Sequence, residues 1–296
     1  MISGSTALYG VLGHPIAHSR SPAMHNAAFA HLGIDAVYVA LPVPPERLAE
    51  GVQGAFALGF QGLNVTVPHK QAALALCATV DAAAAQVGAV NTMRRSPRGW
   101  EGFNTDAPAC RALLAAAGLS RGARALLVGA GGAARAAAFA LVRAGVGVRI
   151  AARRPDAARE LAEAFGPATP AGVPIPQAVA WDALAEECAA ADALVNGTSV
   201  GLAGHPPVLP GVAPRKGQIV VDFVYGDTDL ARRARAAGAR LVTGEQLLVR
   251  QGALAFTLWT GRSAPEAVMA AAVEPHPPTP PAPRRGEGGK PPGTSP

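Results

Sequence analysis

Residues 124–145 read RALLVGAGGAARAAAFALVRAG. A short apolar run of strand length enters a glycine cluster, and an alanine-rich segment of helical length follows at once. Gly129, Gly131 and Ala134 fill the pattern GxGxx(G/A) in the strand-to-helix setting that the pattern requires. The first glycine permits the tight turn, the second lets backbone N–H groups approach a pyrophosphate, and the small third residue lets helix pack on strand. The free amides and the positive dipole end of the helix favour an anion. Gly129, Ala130, Gly131, Gly132 and Ala133 are therefore expected to line a dinucleotide. About 20 residues on, where an NAD-binding unit places a carboxylate for the ribose 2′-hydroxyl, this chain reads RIAARRP. Arg153 and Arg154 offer cations and planar donors for a 2′-phosphate instead, so NADP is favoured over NAD.

Working outward, strand-like and helical patterns alternate from VGVRIAARR through a helix at 156–165 to ADALVNGTS, QIVVDFVY and ARLVTG. The earlier half alternates too, with ALYGVLG, AVYVALPV and LNVTVP separated by expected helices at 22–32, 45–58 and 69–80. The alternation implies βαβ units and a parallel sheet in each half. Ser21 is expected to cap the first helix, with Pro22 at its first position and Gly33 to stop it. AVNTMRR and GWEGF flank a Ser96-Pro97-Arg98-Gly99 turn as a hairpin, and a helix is expected from about Asp106. Helices at about 245–260 and 265–273 close the ordered part.

The reading is thus an α/β protein of two domains. An N-terminal α/β substrate domain spans 1–105 and is completed by 244–273, and a Rossmann-type dinucleotide-binding domain spans 106–243. The remainder, 274–296, is rich in proline and glycine with few apolar side chains to bury, and reads as a disordered tail.

Composition bounds the function. At 296 residues and 50% hydrophobic content the chain can bury real cores. The net charge of +6 comes from scattered arginines without blocks of like charge, which argues against nucleic acid as a partner. No apolar run approaches the ~18 residues of a membrane span, and the N-terminus lacks a signal pattern. Cys77, Cys110 and Cys188 lie far apart without CxxC spacing, so neither a metal site nor a disulfide framework is indicated, and a cytoplasmic location is expected.

Four polar clusters in the first half, HSRSPAMHN, NVTVPHK, GAVNT and GFNTD, are not what a core requires. Ser19, Ser21, Asn64, Thr66, Asn91, Asn104 and Asp106 supply donors and acceptors without bulk, suited to a small polyhydroxylated acid. Each alone has an ordinary use as a cap or turn residue, and their joint occurrence carries the argument. Lys70 stands apart. Only Lys70, Lys216 and Lys290 are lysine among 26 Lys and Arg, so a residue chosen for charge alone would here be arginine.

In these motifs the sequence resembles the shikimate dehydrogenases, whose marks are SxSPxxHN, NVTxPxK, GAxNT, GxNTD and GxGGA(A/S). Here they stand in order at 19–26, 64–70, 88–92, 102–106 and 129–134, and the likeness runs from about residue 7 to 262. The resemblance implies reversible NADPH-dependent reduction of 3-dehydroshikimate to shikimate, on the route to chorismate and the aromatic amino acids. It implies substrate contacts from Ser19, Ser21, Asn64, Thr66, Asn91, Asp106, Tyr225 and Gln251, with the serines at the carboxylate. Lys70 and Asp106 would be catalytic, and Gly244 would join the cofactor residues. The family's usual Asn-Arg-Thr after the second strand is Ala152-Arg153-Arg154 here. Members are often monomers or homodimers. The alternatives are an NAD-dependent quinate/shikimate dehydrogenase, against which Arg153 and Arg154 argue, and a non-catalytic sensing homologue, which would have no need of Lys70.

Overall fold

The structure is a computed structural model that describes residues 2–201, 209 and 211–274. The first half runs β1 (Ala7–Gly13), α1 (Ser21–His31), β2 (Ala36–Pro42), α2 (Leu48–Ala57), β3 (Gly62–Val65), β4 (Thr79–Val80), α3 (Ala82–Val87), β5 (Thr92–Ser96) and β6 (Gly99–Phe103). These strands form one sheet in the order β2-β1-β3-β5-β6-β4. β1 pairs in parallel with β2 and β3, whereas β5 is antiparallel to both β3 and β6. The expected parallel sheet is therefore mixed, because the two-residue turn at Pro97-Arg98 reverses the chain and pairs Ser96 with Gly99.

α4 (Asp106–Ala116) leads into β7 (Arg124–Val128), α5 (Gly132–Arg143), β8 (Gly147–Ala151), α6 (Pro155–Phe165), β9 (Gln177–Val179), α7 (Leu184–Ala190), β10 (Ala193–Asn196), β11 (Ile219–Asp222), α8 (Asp229–Ala236) and β12 (Arg240–Val242). The second sheet is parallel throughout, in the order β12-β11-β10-β7-β8-β9. That is the Rossmann arrangement, with its change of direction between β7 and β10. α9 (Gly244–Thr260) and α10 (Glu266–Val273) return to the first sheet, where Val249, Ala253, Phe256, Met269 and Val273 share a core with Tyr9, Met24 and Tyr38. α4 goes the other way, placing Cys110 and Leu114 in the core beneath β7.

Pairing with distant strands and local caps account for the other departures. The expected helix at 69–80 is a 3-10 turn at Ala72–Leu76 followed by β4. Thr79 and Val80 pair with Glu101 and Gly102, so the free edge of β6 wins over the helix propensity of the alanines. Ser21 lies inside α1 rather than capping it, Arg20 being the capping residue, and the Ser21 side chain lies near the Tyr38 hydroxyl. Gly33 does end α1, at φ 64°. The unexpected α3 has good local signals, since Asp81 accepts the N–H groups of Ala83 and Ala84 and Gly88 closes it at φ 70°. The 275–296 part of the expected tail lies outside the described residues.

His25, on α1, is fully buried among aromatic rings. It stacks on Tyr38 with centroids 4.4 Å apart and lies against Phe29, Phe256 and Trp259. Neither ring nitrogen has a hydrogen-bond partner among the described residues. Burial without a partner disfavours the charged ring and lowers its pKa from 6.5 to about 3. The unfolded chain then binds a proton that the folded chain refuses. The stability held by the neutral ring is intact above about pH 6.5 and declines by ~1.4 kcal/mol per pH unit as pH falls toward 3. His25→Phe removes no hydrogen bond and should flatten that slope. Urea denaturation at pH 7, 5.5 and 4.5 checks it, and equal slopes for the two proteins would show that His25 is protonated in the fold.

Candidate active site

A cleft of about 840 Å³ opens between the C-terminal ends of the two sheets and is lined from both sides. On the first side, β3 ends at Val65 and the chain turns through Thr66 to Lys70. His69 anchors this turn through its ring Nε2, 2.7 Å from the Val43 carbonyl, and the Lys70 carbonyl accepts the Val90 N–H at 2.8 Å. Lys70 Nζ donates to Asp106 Oδ2 at 2.6 Å, with the side chains only 12% and 8% exposed. Asp106 is the first residue of α4, where a carboxylate suits the helix dipole. That helix start is fixed on both sides. Asn104 Oδ1 accepts the Ala107 N–H at 3.0 Å, and Asn91 Oδ1 accepts the Thr105 N–H at 2.7 Å.

Beside the pair runs a row of polar groups. The Tyr38 hydroxyl donates to Asn64 Oδ1 at 2.7 Å, and Asn64 Nδ2 donates to Thr92 Oγ1 at 3.1 Å. Asn91 Nδ2 donates to Thr105 Oγ1 at 2.9 Å and to Gln251 Oε1 at 3.3 Å. Burial pushes the Tyr38 hydroxyl well above its ordinary pKa, which keeps it a donor. Ser19 and Ser21 stand at one end of the row, where Ser19 Oγ accepts the Ser21 N–H at 3.3 Å. Tyr225, from the loop after β11, faces them across the cleft and its hydroxyl is also raised by burial. The fold thus gathers Ser19, Ser21, Asn64, Thr66, Lys70, Asn91, Asp106, Tyr225 and Gln251 along one cleft. Asn104 is occupied as a helix cap. Tyr38 and Thr105 complete the row, and the sequence shows them only as one strand aromatic and one member of an NTD triplet.

The second side of the cleft begins at the crevice between β7 and β10. Gly129 turns at φ 114°, and a Cβ there would lie 3.0 Å from the Gly197 backbone. Gly197 itself sits so close that a Cβ would meet Ala134 Cα at 2.9 Å, so the small residue at 134 is needed for the fit. Gly131 has no heavy atom within 4 Å of a Cβ position and faces open space. Gly132 is tight against Lys70, whose Cβ would be 2.8 Å from an added Cβ. Gly244 also permits a close approach, because a Cβ there would stand 2.6 Å from the Tyr225 amide nitrogen. Arg153 and Arg154 follow β8, exposed and lining the cleft, and neither forms an ion pair among the described residues. Trp181, Thr198 and Ala157 line the same side without having been singled out in the sequence. Among the described residues no cluster of His, Cys, Asp and Glu could hold a metal ion, and no helix is long and apolar enough to cross a membrane.

The family model for the shikimate dehydrogenase substrate binding domain matches residues 11–93, and that for the shikimate 5′-dehydrogenase C-terminal domain matches 244–274. A shikimate dehydrogenase (NADP+) of Anaeromyxobacter sp. strain K is 67% identical over 274 residues, covering 93% of this chain and 98% of that one. This chain belongs to the shikimate dehydrogenase family.

Solved structures agree with the sequence relatives. The Thermus thermophilus shikimate 5-dehydrogenase, crystallised with NADP(H) and shikimate, is 40% identical with a TM-score of 0.75, over 90% of this chain and 98% of that one. A quinate dehydrogenase from Corynebacterium glutamicum in complex with NAD is 32% identical with a TM-score of 0.80, over 90% and 98%. Within this dehydrogenase the glycines of the β7 turn differ in kind, which thermal melts without ligand can separate. Gly129→Ala forces a side chain into a left-handed turn and should cost roughly 1 kcal/mol or more. Gly131→Ala, at φ −80° in open space, should stay within about 0.5 kcal/mol of the parent. Equal losses at the two positions would contradict the description of the turn.

Proposed function

We propose that this chain reduces 3-dehydroshikimate to shikimate, reversibly, with NADPH, and serves the chorismate route of aromatic amino-acid synthesis. The observation that carries the proposal is the Lys70–Asp106 pair, bonded at 2.6 Å, with the glycine turn before α5 on one side and the polar row from Ser19 to Gln251 on the other. The residues present fit the cofactor. Gly131 leaves open space where a pyrophosphate needs backbone amides, and Arg153 and Arg154, neither in an ion pair among the described residues, would present two cations to a 2′-phosphate. Gly129–Ala133, with Gly244 nearby, would hold the dinucleotide. When bound, NADPH supplies the hydride.

The remaining chemistry belongs to the chain. Ser19, Ser21 and Tyr225 take the substrate carboxylate. Asn64, Thr66, Asn91, Asp106 and Gln251 address its ring hydroxyls and orient the carbonyl. Lys70 Nζ gives a proton to the carbonyl oxygen in reduction and takes it back in oxidation, while Asp106 holds the amine in place. Residues 1–105 with 244–273 act as the substrate unit and 106–243 as the nucleotide unit, so the two ligands meet in the cleft. Closing it would exclude water. Three free cysteines suit a reducing, cytoplasmic setting. The NAD-dependent quinate reading is less well supported, since β8 is followed by Ala152, Arg153 and Arg154 with no carboxylate for a free ribose hydroxyl.

Steady-state kinetics on Lys70→Arg tests the assignment. Arginine keeps the charge and the pairing to Asp106 but cannot give up a proton in the working range. A fall in kcat of about 10²-fold or more is expected, with a smaller change in KM for NADP. Near-normal kcat with an altered KM would make Lys70 a binding residue and leave the proton without a donor.

A further inference from the structure

Arg20 stands between Ser19 and Ser21 and has no part in the roles assigned above. Its Nη1 lies 3.2 Å from Glu245 Oε1 and donates to the carbonyl of Val273, at the end of α10, at 2.9 Å. Glu245 lies in the first turn of α9, and the same Oε1 accepts the backbone N–H of Gly226 at 2.6 Å. Gly226 follows Tyr225, whose ring centroid is 5.5 Å from Arg20 Cζ. One carboxylate oxygen therefore ties the serine loop of the first sheet to the tyrosine loop of the second. The side chains of Arg20 and Glu245 are 31% and 22% exposed, so the pair is partly shielded from solvent.

The tyrosine loop is also held from below, by a buried carboxylate of its own sheet. Asp222 Oδ1 accepts the Val224 N–H at 3.1 Å and Asn196 Nδ2 at 2.9 Å, while Oδ2 accepts the Thr228 hydroxyl at 2.6 Å. Those bonds set the shape of the loop relative to β11. They do not set its distance from α1, and the Glu245–Arg20 link spans that distance.

We propose that Arg20 and Glu245 are positioning residues for the anionic end of the substrate, holding the Tyr225 loop against Ser19 and Ser21. The proposal rests on the reading of those three residues as carboxylate contacts. Charge alone predicts the opposite sign at Glu245, because removing a carboxylate near an anionic ligand strengthens its binding. Position predicts weaker binding, because the tyrosine loop loses its tie to α1.

Kinetics on the full chain with shikimate and NADP separates the two. Glu245→Ala is expected to raise the KM for shikimate about 5-fold or more, with kcat within about 2-fold and the KM for NADP unchanged. Arg20→Met should do the same and Arg20→Lys should recover part of the loss. Glu245→Gln keeps an acceptor for Gly226 without the charge and should fall between wild type and Glu245→Ala, which serves if an Arg20 variant does not fold. In a Tyr225→Phe background the effect of Glu245→Ala should shrink to less than about 2-fold. An unchanged or lowered KM in Glu245→Ala, or a full effect added to Tyr225→Phe, would overturn the positioning role. A wild-type protein that does not oxidise shikimate would instead refute the functional reading on which it rests.

Discussion

The contact between Lys70 and Asp106 is the constraint on which the site depends. Two opposite charges, each mostly withdrawn from water, are held at 2.6 Å. Such a pair contributes little net stability, since desolvation offsets most of the attraction, but leaving either partner alone would cost about 3–5 kcal/mol. Its value is geometric. Lys70 comes from the turn after β3 and Asp106 from the head of α4, so their contact fixes the end of a strand against the start of a helix. α4 packs on α5, and the head of α5 at Gly132 leaves no room for a side chain against Lys70. The lysine is thus held by a chain of contacts that passes through both halves of the molecule.

The second sheet supplies the complementary constraint. Because all its neighbours are parallel and its order reverses between β7 and β10, the loops after those strands separate and leave a crevice at their C-terminal ends. Gly129 and Gly197 lie close together within that crevice, whereas Gly131 faces open space. Close packing and deliberate vacancy sit two residues apart. Across the cleft the polar row works differently, since Tyr38, Asn64, Thr92, Asn91 and Thr105 bond one another and so hold their remaining donors and acceptors in place.

Much of this was legible in the sequence, for identifiable reasons. The glycine turn could be read because strand, turn and helix are consecutive, and the hairpin at 96–99 because its turn is local. Caps at Asp81 and Gly88 were equally local, and α3 could have been read from them. What escaped reading depends on partners distant in the chain. Thr79 and Val80 become a strand only because β6 offers an edge, and Ser21 lies within α1 with Arg20 at the cap position, in reach of Tyr38 from the neighbouring strand. Arg20 looked like one more arginine in an arginine-rich chain, and its contact with Glu245, 225 residues away, appears only when α9 folds back onto the first sheet. Gly244 illustrates a further limit, because its need for no side chain comes from the backbone of Val224 and Tyr225 as well as from any ligand.

The central claim joins a particular acid to a particular dinucleotide, and substrate choice measures both at once. Initial rates of oxidation would be taken with shikimate and with quinate, each with NADP and with NAD. On the proposed roles, Arg153 and Arg154 would each offer a 2′-phosphate a charge-assisted contact worth about 1.5–3 kcal/mol, so kcat/KM for shikimate should be at least about 10-fold higher with NADP than with NAD. Shikimate should also exceed quinate with either cofactor. A preference for NAD, or oxidation of quinate in place of shikimate, would contradict the account.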